Sequence, residues 1–176
     1  TSMYGAAQSF AFAATQDPRA RARAQRAFAA IEFLSEVTQR GSHPAPYGFP
    51  ARSILSTSGF NPNLTRDTVE RDLQRRKKDP LWKVLSPRWP TSADGQWYWK
   101  TDTSSDELDG HFFFYARYYD LVADEAEKIR VRQVVKRIMD HLIHHDFKLV
   151  DWDGLPTRWA NFSPGSLNHD PQWAEE

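Results

Sequence analysis

Two stretches of this chain, one near each end, carry the same order of hydrophobic patterning, and that duplication limits the possible folds more than any other feature. Ser2–Thr15 is rich in Ala and Phe, with apolar residues on most faces, which predicts a helix enclosed by protein. Asp17-Pro18 then supplies an N-cap and the residue best suited to a first helical turn, opening a second helix that runs to about Arg40. Within it Ala24, Ala27, Phe28, Ile31, Leu34 and Val37 recur at helical spacing, while Arg19, Arg21, Arg23 and Arg26 fall mostly on the other face, as a solvated surface. Residues 103–122 are apolar almost all round, through Leu108, Phe112, Phe113, Phe114, Tyr115, Tyr118, Tyr119 and Leu121. After almost no linker, residues 124–145 carry a stripe of Ile129, Val131, Val134, Val135, Ile138, Met139, Leu142 and Ile143. Each pair reads as buried helix, tight turn, half-buried helix. The expected fold is mainly α, built from antiparallel helical hairpins with inner and outer members.

The rest of the chain is punctuated by Gly, Pro, Asn and Ser. Residues 41–64 read as a long irregular connection, 65–78 as a short charged helix, and 83–86 and 96–100 as strands around an Asp94-Gly95 turn. The loop-rich C-terminal segment 146–176 opens with a small hairpin over 148–159, turning at Asp153-Gly154, and ends in loop over 170–176. A chain of 176 residues is long enough for one domain. Lys plus Arg equals Asp plus Glu at 23 each, so no bulk field favours nucleic acid or an anionic membrane. No apolar run approaches the roughly 18 to 20 residues of a membrane helix, and the N-terminus lacks the order of a signal peptide. With no cysteine, disulfides, thiolate metal sites and cysteine nucleophiles are excluded. All seven Trp fall outside the helical patterns, in loops where they either plug the core or offer flat apolar faces to a ligand.

At Asp102-Thr-Ser-Ser-Asp-Glu107, Gly110-His111 and Asp151-Trp-Asp-Gly-Leu-Pro-Thr-Arg-Trp159 the sequence resembles bacterial proteins of (α/α) toroid architecture, the six-hairpin glycosidase type. The likeness is best over 97–168, weaker for the first hairpin, and does not cover the middle. It implies inner helices lining a central funnel whose loops hold a sugar chain, a secreted or periplasmic setting, and a chain that is a fragment of such a toroid. A partial toroid leaves inner apolar surface uncovered, which predicts self-association or contact with the missing remainder of the chain.

The candidate chemistry gathers at the start of the aromatic helix. Asp102, Asp106 and Asp109 crowd a helix N-terminus, which favours ionised carboxylates and so a base or nucleophile, Asp106 first. The competing reading is structural: Ser104 and Glu107 have the spacing of a capping box. Glycoside hydrolysis needs a second, protonated carboxyl, for which Asp151 or Asp153 are available, though Asp153-Gly154 also reads simply as a turn. His111 lies one turn into the helix, beside Tyr115, as a donor or base or else as a core histidine. Trp99, Trp152 and Trp159 are candidate sugar platforms, and Arg158 either clamps a carboxylate or stacks on Trp159 to close a loop. His141, His144 and His145 have helical metal-ligand spacing but end a helix whose dipole favours cations, so no metal or cofactor is assigned. These residues predict a carbohydrate-active protein, a glycoside hydrolase-like toroid acting on a polysaccharide or oligosaccharide. A polysaccharide lyase and a non-catalytic glycan-binding or structural helical module are the alternatives. The hydrolase reading requires the acidic end of residues 103–122 to open on a sugar-sized hollow.

Overall fold

The computed structural model describes residues 1–169; the loop expected at 170–176, with Trp173, lies outside them. Four long helices dominate: α1 (Ser2–Thr15), α2 (Pro18–Glu36), α5 (Ser105–Leu121) and α6 (Glu125–His144). Between the two pairs lie β1 (Ile54–Ser56), α3 (Pro62–Thr65), α4 (Val69–Arg76) and β2 (Trp97–Trp99), and after α6 come β3 (Lys148–Val150), β4 (Pro156–Asn161) and α7 (Pro164–His169). The protein is mainly α, with small antiparallel β-hairpins.

The helix starts follow local chemistry. The Asp17 carboxylate accepts from the Arg19 N–H at 2.9 Å, and Pro18 fills the first helical position. At α5 the Glu107 carboxylate accepts from both the backbone N–H and the hydroxyl of Ser104, at 2.9 and 2.6 Å. At α6 Asp124 and Glu127 close the reciprocal box, each accepting from the other's N–H at 2.9 Å. α2 ends at Glu36 rather than near Arg40, because residues 37–43 leave the helix in a series of turns and bends.

α1 packs against both α2 and α5, and α5 also packs against α6. Phe28 of α2 stacks on Tyr118 with ring centroids 4.8 Å apart and meets Tyr115 edge-on at 6.2 Å, so α5 supplies the aromatic centre of the core. The enclosure expected for α1 is one-sided. Its contact face is Gly5, Ala6 and Ser9, small residues that let α1 press on the Phe114 ring, while Met3, Tyr4 and Phe10 stay exposed. α5 is likewise open along one edge, where Phe113 is exposed beside Phe10.

The strand at Trp97–Trp99 does not pair with residues 83–86. It pairs antiparallel with β1, Ile54 opposite Trp99 and Ser56 opposite Trp97, so the connection over 41–64 contributes a strand and a helical turn to the fold. β3 and β4 form the hairpin expected at Gly154, with a bulge between Lys148 and Val150.

Candidate functional site

Of the acids singled out at the head of α5, only Asp102 lies in a sealed polar knot, where it meets Asp151. Asp102 is buried and has a left-handed backbone, φ 58°. Four contacts hold it there: its carboxylate accepts from Arg88 at 3.2 Å and from the Arg158 N–H at 3.0 Å, its N–H donates to Asp151 at 2.7 Å, and its carbonyl accepts from Arg52 at 3.3 Å. A non-glycine residue kept in this conformation is strained and persists only where surroundings over-determine it, as here. Asp151 is fully buried and also accepts from the Trp152 N–H at 2.7 Å; burial pushes its carboxyl up to about 6. Arg88 then bridges Asp102 to Asp72, whose carboxylate also accepts from the Trp82 indole at 3.0 Å. This arrangement ties residues 72–102 to the 151–158 hairpin.

The other candidates scatter around that knot. Asp106 and Asp109 are exposed on the first turns of α5, with Asp106 accepting from the Ser104 hydroxyl. His111 is buried, its ring 6.0 Å from that of Tyr115, and burial first, then the N-terminal ammonium, lowers its pKa to about 4. His111 Nδ1, the Tyr115 hydroxyl, and the Trp99 and Trp152 indole nitrogens are buried without a hydrogen-bond partner among the described residues. Trp99 is a core plug, fully buried against Phe49. Arg158 lies over the Trp159 ring at 3.8 Å and pairs with Asp79 at 3.2 Å, which matches the loop-closing arrangement. Asp153 receives the Lys83 ammonium at 2.7 Å. None of Asp102, Asp106, Asp109, His111, Trp99, Tyr115, Trp152, Arg158 or Trp159 lines the hollow beside Tyr47, the histidine hollow next to it, or those beside Tyr4 and Asn63.

A hollow of about 750 Å³ lies elsewhere. Phe33, Glu36 and Val37 at the end of α2 form one wall, Ala45 and Tyr47 a second, Ser92 to Asp94 a third, and Arg137 of α6 the floor. Two glycines bring these segments together. Gly41, at φ 109°, lets the chain close on residues 91–92, since a Cβ there would lie 2.1 Å from the Thr91 carbonyl. Ser42 and Thr91 then exchange hydrogen bonds at 3.1 and 3.0 Å. Gly48, at φ 90°, lets the next segment press on α6, where a Cβ would lie 2.1 Å from the Arg137 carbonyl. His141 fixes that approach: its Nε2 accepts from the Val150 N–H at 3.0 Å, so Nδ1 carries the proton and donates to the Tyr47 carbonyl, also at 3.0 Å.

The hollow mixes flat apolar and charged surface. Tyr47 is exposed, and Phe33 is backed edge-on by Trp97 at 5.9 Å. Asp94 accepts from the Ser92 hydroxyl at 2.5 Å and the Gln96 N–H at 3.0 Å, which hold its carboxyl below the usual range. A second hollow of about 470 Å³, lined by Asp140, His141, His144 and His145, meets the first at Tyr47. With both His141 nitrogens spent on the backbone, the three histidines do not form a ligand set, and no group of metal-binding side chains occurs among the described residues. Sequence reasoning missed this hollow because its walls come from four separate segments; the only local signal is the Gly and Pro density of residues 41–50. No protein-family model, curated protein or solved structure matches the chain.

Proposed function

We propose that this is a carbohydrate-active protein of glycoside hydrolase-like (α/α) toroid type, and that its described residues act by holding a glycan in the hollow beside Tyr47. The observation that carries the reading is the composition of that hollow: an exposed Tyr47 ring and Phe33 for the apolar faces of a sugar, with Glu36, Arg40, Asp94 and Arg137 for its hydroxyls. Sugars present this alternation of C–H faces and hydroxyl edges, and sites of a few hundred Å³ that recognise small ligands combine aromatic walls with few polar groups in the same way. Titration with a panel of neutral and acidic oligosaccharides, read by intrinsic fluorescence and calorimetry, tests it. Saturable binding that Tyr47→Ala abolishes supports the reading; no binding across the panel defeats it.

Hydrolysis is the second reading, favoured by one pair of residues. Asp102 is paired with Arg88, and burial pushes the pKa of Asp151 beside it up to about 6, which suits Asp151 to the protonated, acid part in cleaving a glycosidic bond. Both are covered in this structure, so binding comes first. New reducing ends from a polysaccharide, lost in Asp102→Asn, support hydrolysis; an unsaturated, ultraviolet-absorbing product indicates a lyase instead.

A further inference from the structure

The charges of the Tyr47 hollow are unevenly satisfied, and this bears on which glycan it takes. Of its two acids, Asp94 is bonded to Ser92 and Gln96, whereas Glu36 makes only a 3.7 Å ion pair with Arg137. Its two cations keep unspent donors. Arg137 is only 19% exposed along its side chain, its Nε–H is buried without an acceptor, and 3.7 Å to Glu36 is beyond hydrogen-bond range. Arg40 is exposed and makes no ion pair among the described residues. The Nε–H is closed to solvent, so it is the terminal nitrogens of Arg137 and the exposed Arg40 that can meet a ligand, and a planar carboxylate is the acceptor that best matches guanidinium donors.

We propose that the hollow is a subsite for an acidic sugar, with the carboxylate of a hexuronate received by Arg137 and Arg40 and the sugar ring laid against Tyr47. This rests on the glycan-binding reading and narrows it to one substrate class. Glu36 then turns from a weak partner of Arg137 into an acceptor for a ring hydroxyl. The hollow sits at the C-terminal end of α2, where the helix dipole disfavours an anion, so two guanidiniums rather than one are needed to hold the charge. The adjoining hollow across Tyr47 gives a neighbouring sugar somewhere to lie, so an oligomer binds better than a single uronic acid.

The test is calorimetric titration of the folded protein with trigalacturonate, its fully methyl-esterified form, a neutral trisaccharide and a tri-glutamate peptide. The expected result is binding of trigalacturonate about tenfold or more tighter than of its methyl ester, weakened by added salt. Arg137→Gln removes that preference and Arg137→Lys restores only part of it, with circular dichroism checking that each variant is folded; Arg40→Gln, at an exposed position, supplies an independent loss. Equal binding of the acid and its ester overturns the acidic-sugar assignment while leaving glycan binding standing. Binding of the peptide but not the uronide overturns both, as does binding of nothing in the set.

Discussion

Around α5 the molecule is held by rings: Phe28 stacked on Tyr118, Tyr115 edge-on to both Phe28 and Phe112, and Phe114 under Gly5. Across residues 62–103 it is held by charge, with Arg88 between two buried aspartates and the Trp82 and Trp89 indoles donating to Asp72 and Asp67. The first region has a repeating apolar pattern and buries it helix against helix. The second has too few apolar residues at regular spacing to do so, and orders its backbone by giving each loop a buried carboxylate to bond to. Burying ions is costly, so the loop region is rigid only while each partner is present, whereas aromatic packing degrades gradually.

The comparison is broken most directly at Asp72. Asp72→Ala leaves Arg88 buried with one partner fewer and orphans the Trp82 indole and the Leu85 N–H, so a loss of about 3–5 kcal/mol is expected in chemical denaturation. A loss under about 1 kcal/mol would show that the knot is ornamental. Next comes Gly48→Ala, which combines a left-handed backbone with a clash against the Arg137 carbonyl. About 1–3 kcal/mol should be lost, together with glycan binding, since the Tyr47 wall moves off α6.

Acid provides a graded comparison. Burial lowers the pKa of both His111 and His141 to about 4 from 6.5, so both stay neutral in the fold while the unfolded chain takes up protons. Their contribution is whole above pH 6.5 and is lost as pH falls from 6.5 towards 4. Asp151 acts in the opposite sense. Its folded pKa of about 6 exceeds the unfolded 3.8, so its contribution is whole below 3.8 and is lost as pH rises through 6. Two histidines against one aspartate leave a net loss on the order of a few kcal/mol on acidification, measurable as a falling denaturation midpoint. His111→Phe should remove most of that net loss, since the remaining histidine and Asp151 then nearly cancel. The smallest stability effect is expected at Tyr47→Ala, within about 0.5 kcal/mol, because the ring is exposed.

The helical region was legible in the sequence because its signals are local. Asp17-Pro18, the Ser104 capping box and Asp153-Gly154 each act within a few residues, and the structure starts or turns its elements there. The enclosure expected for α1 was a misreading that came from treating apolar content as burial. Gly5, Ala6 and Ser9 make the contact because they are small, and the larger Met3, Tyr4 and Phe10 are left outside. The loop region was hard to read because its partners are far apart in sequence. Nothing near Ile54 announces that it pairs with Trp99, and nothing near Arg88 announces Asp72 and Asp102. At the candidate site, the motif at 102–107 drew attention to residues whose roles in this structure are a helix cap and an ion knot, while the open hollow is assembled by Gly41 and Gly48 from segments with no shared pattern.

The central claim is that glycan binds at Tyr47 and not at the head of α5. It is tested by recording backbone amide shifts of labelled protein during titration with trigalacturonate. The account predicts saturable shifts at Tyr47, at Ser92 to Gln96 and around Arg137, with Asp106, Asp109 and His111 unmoved. Shifts confined to residues 102–111, with the Tyr47 hollow silent, would contradict it.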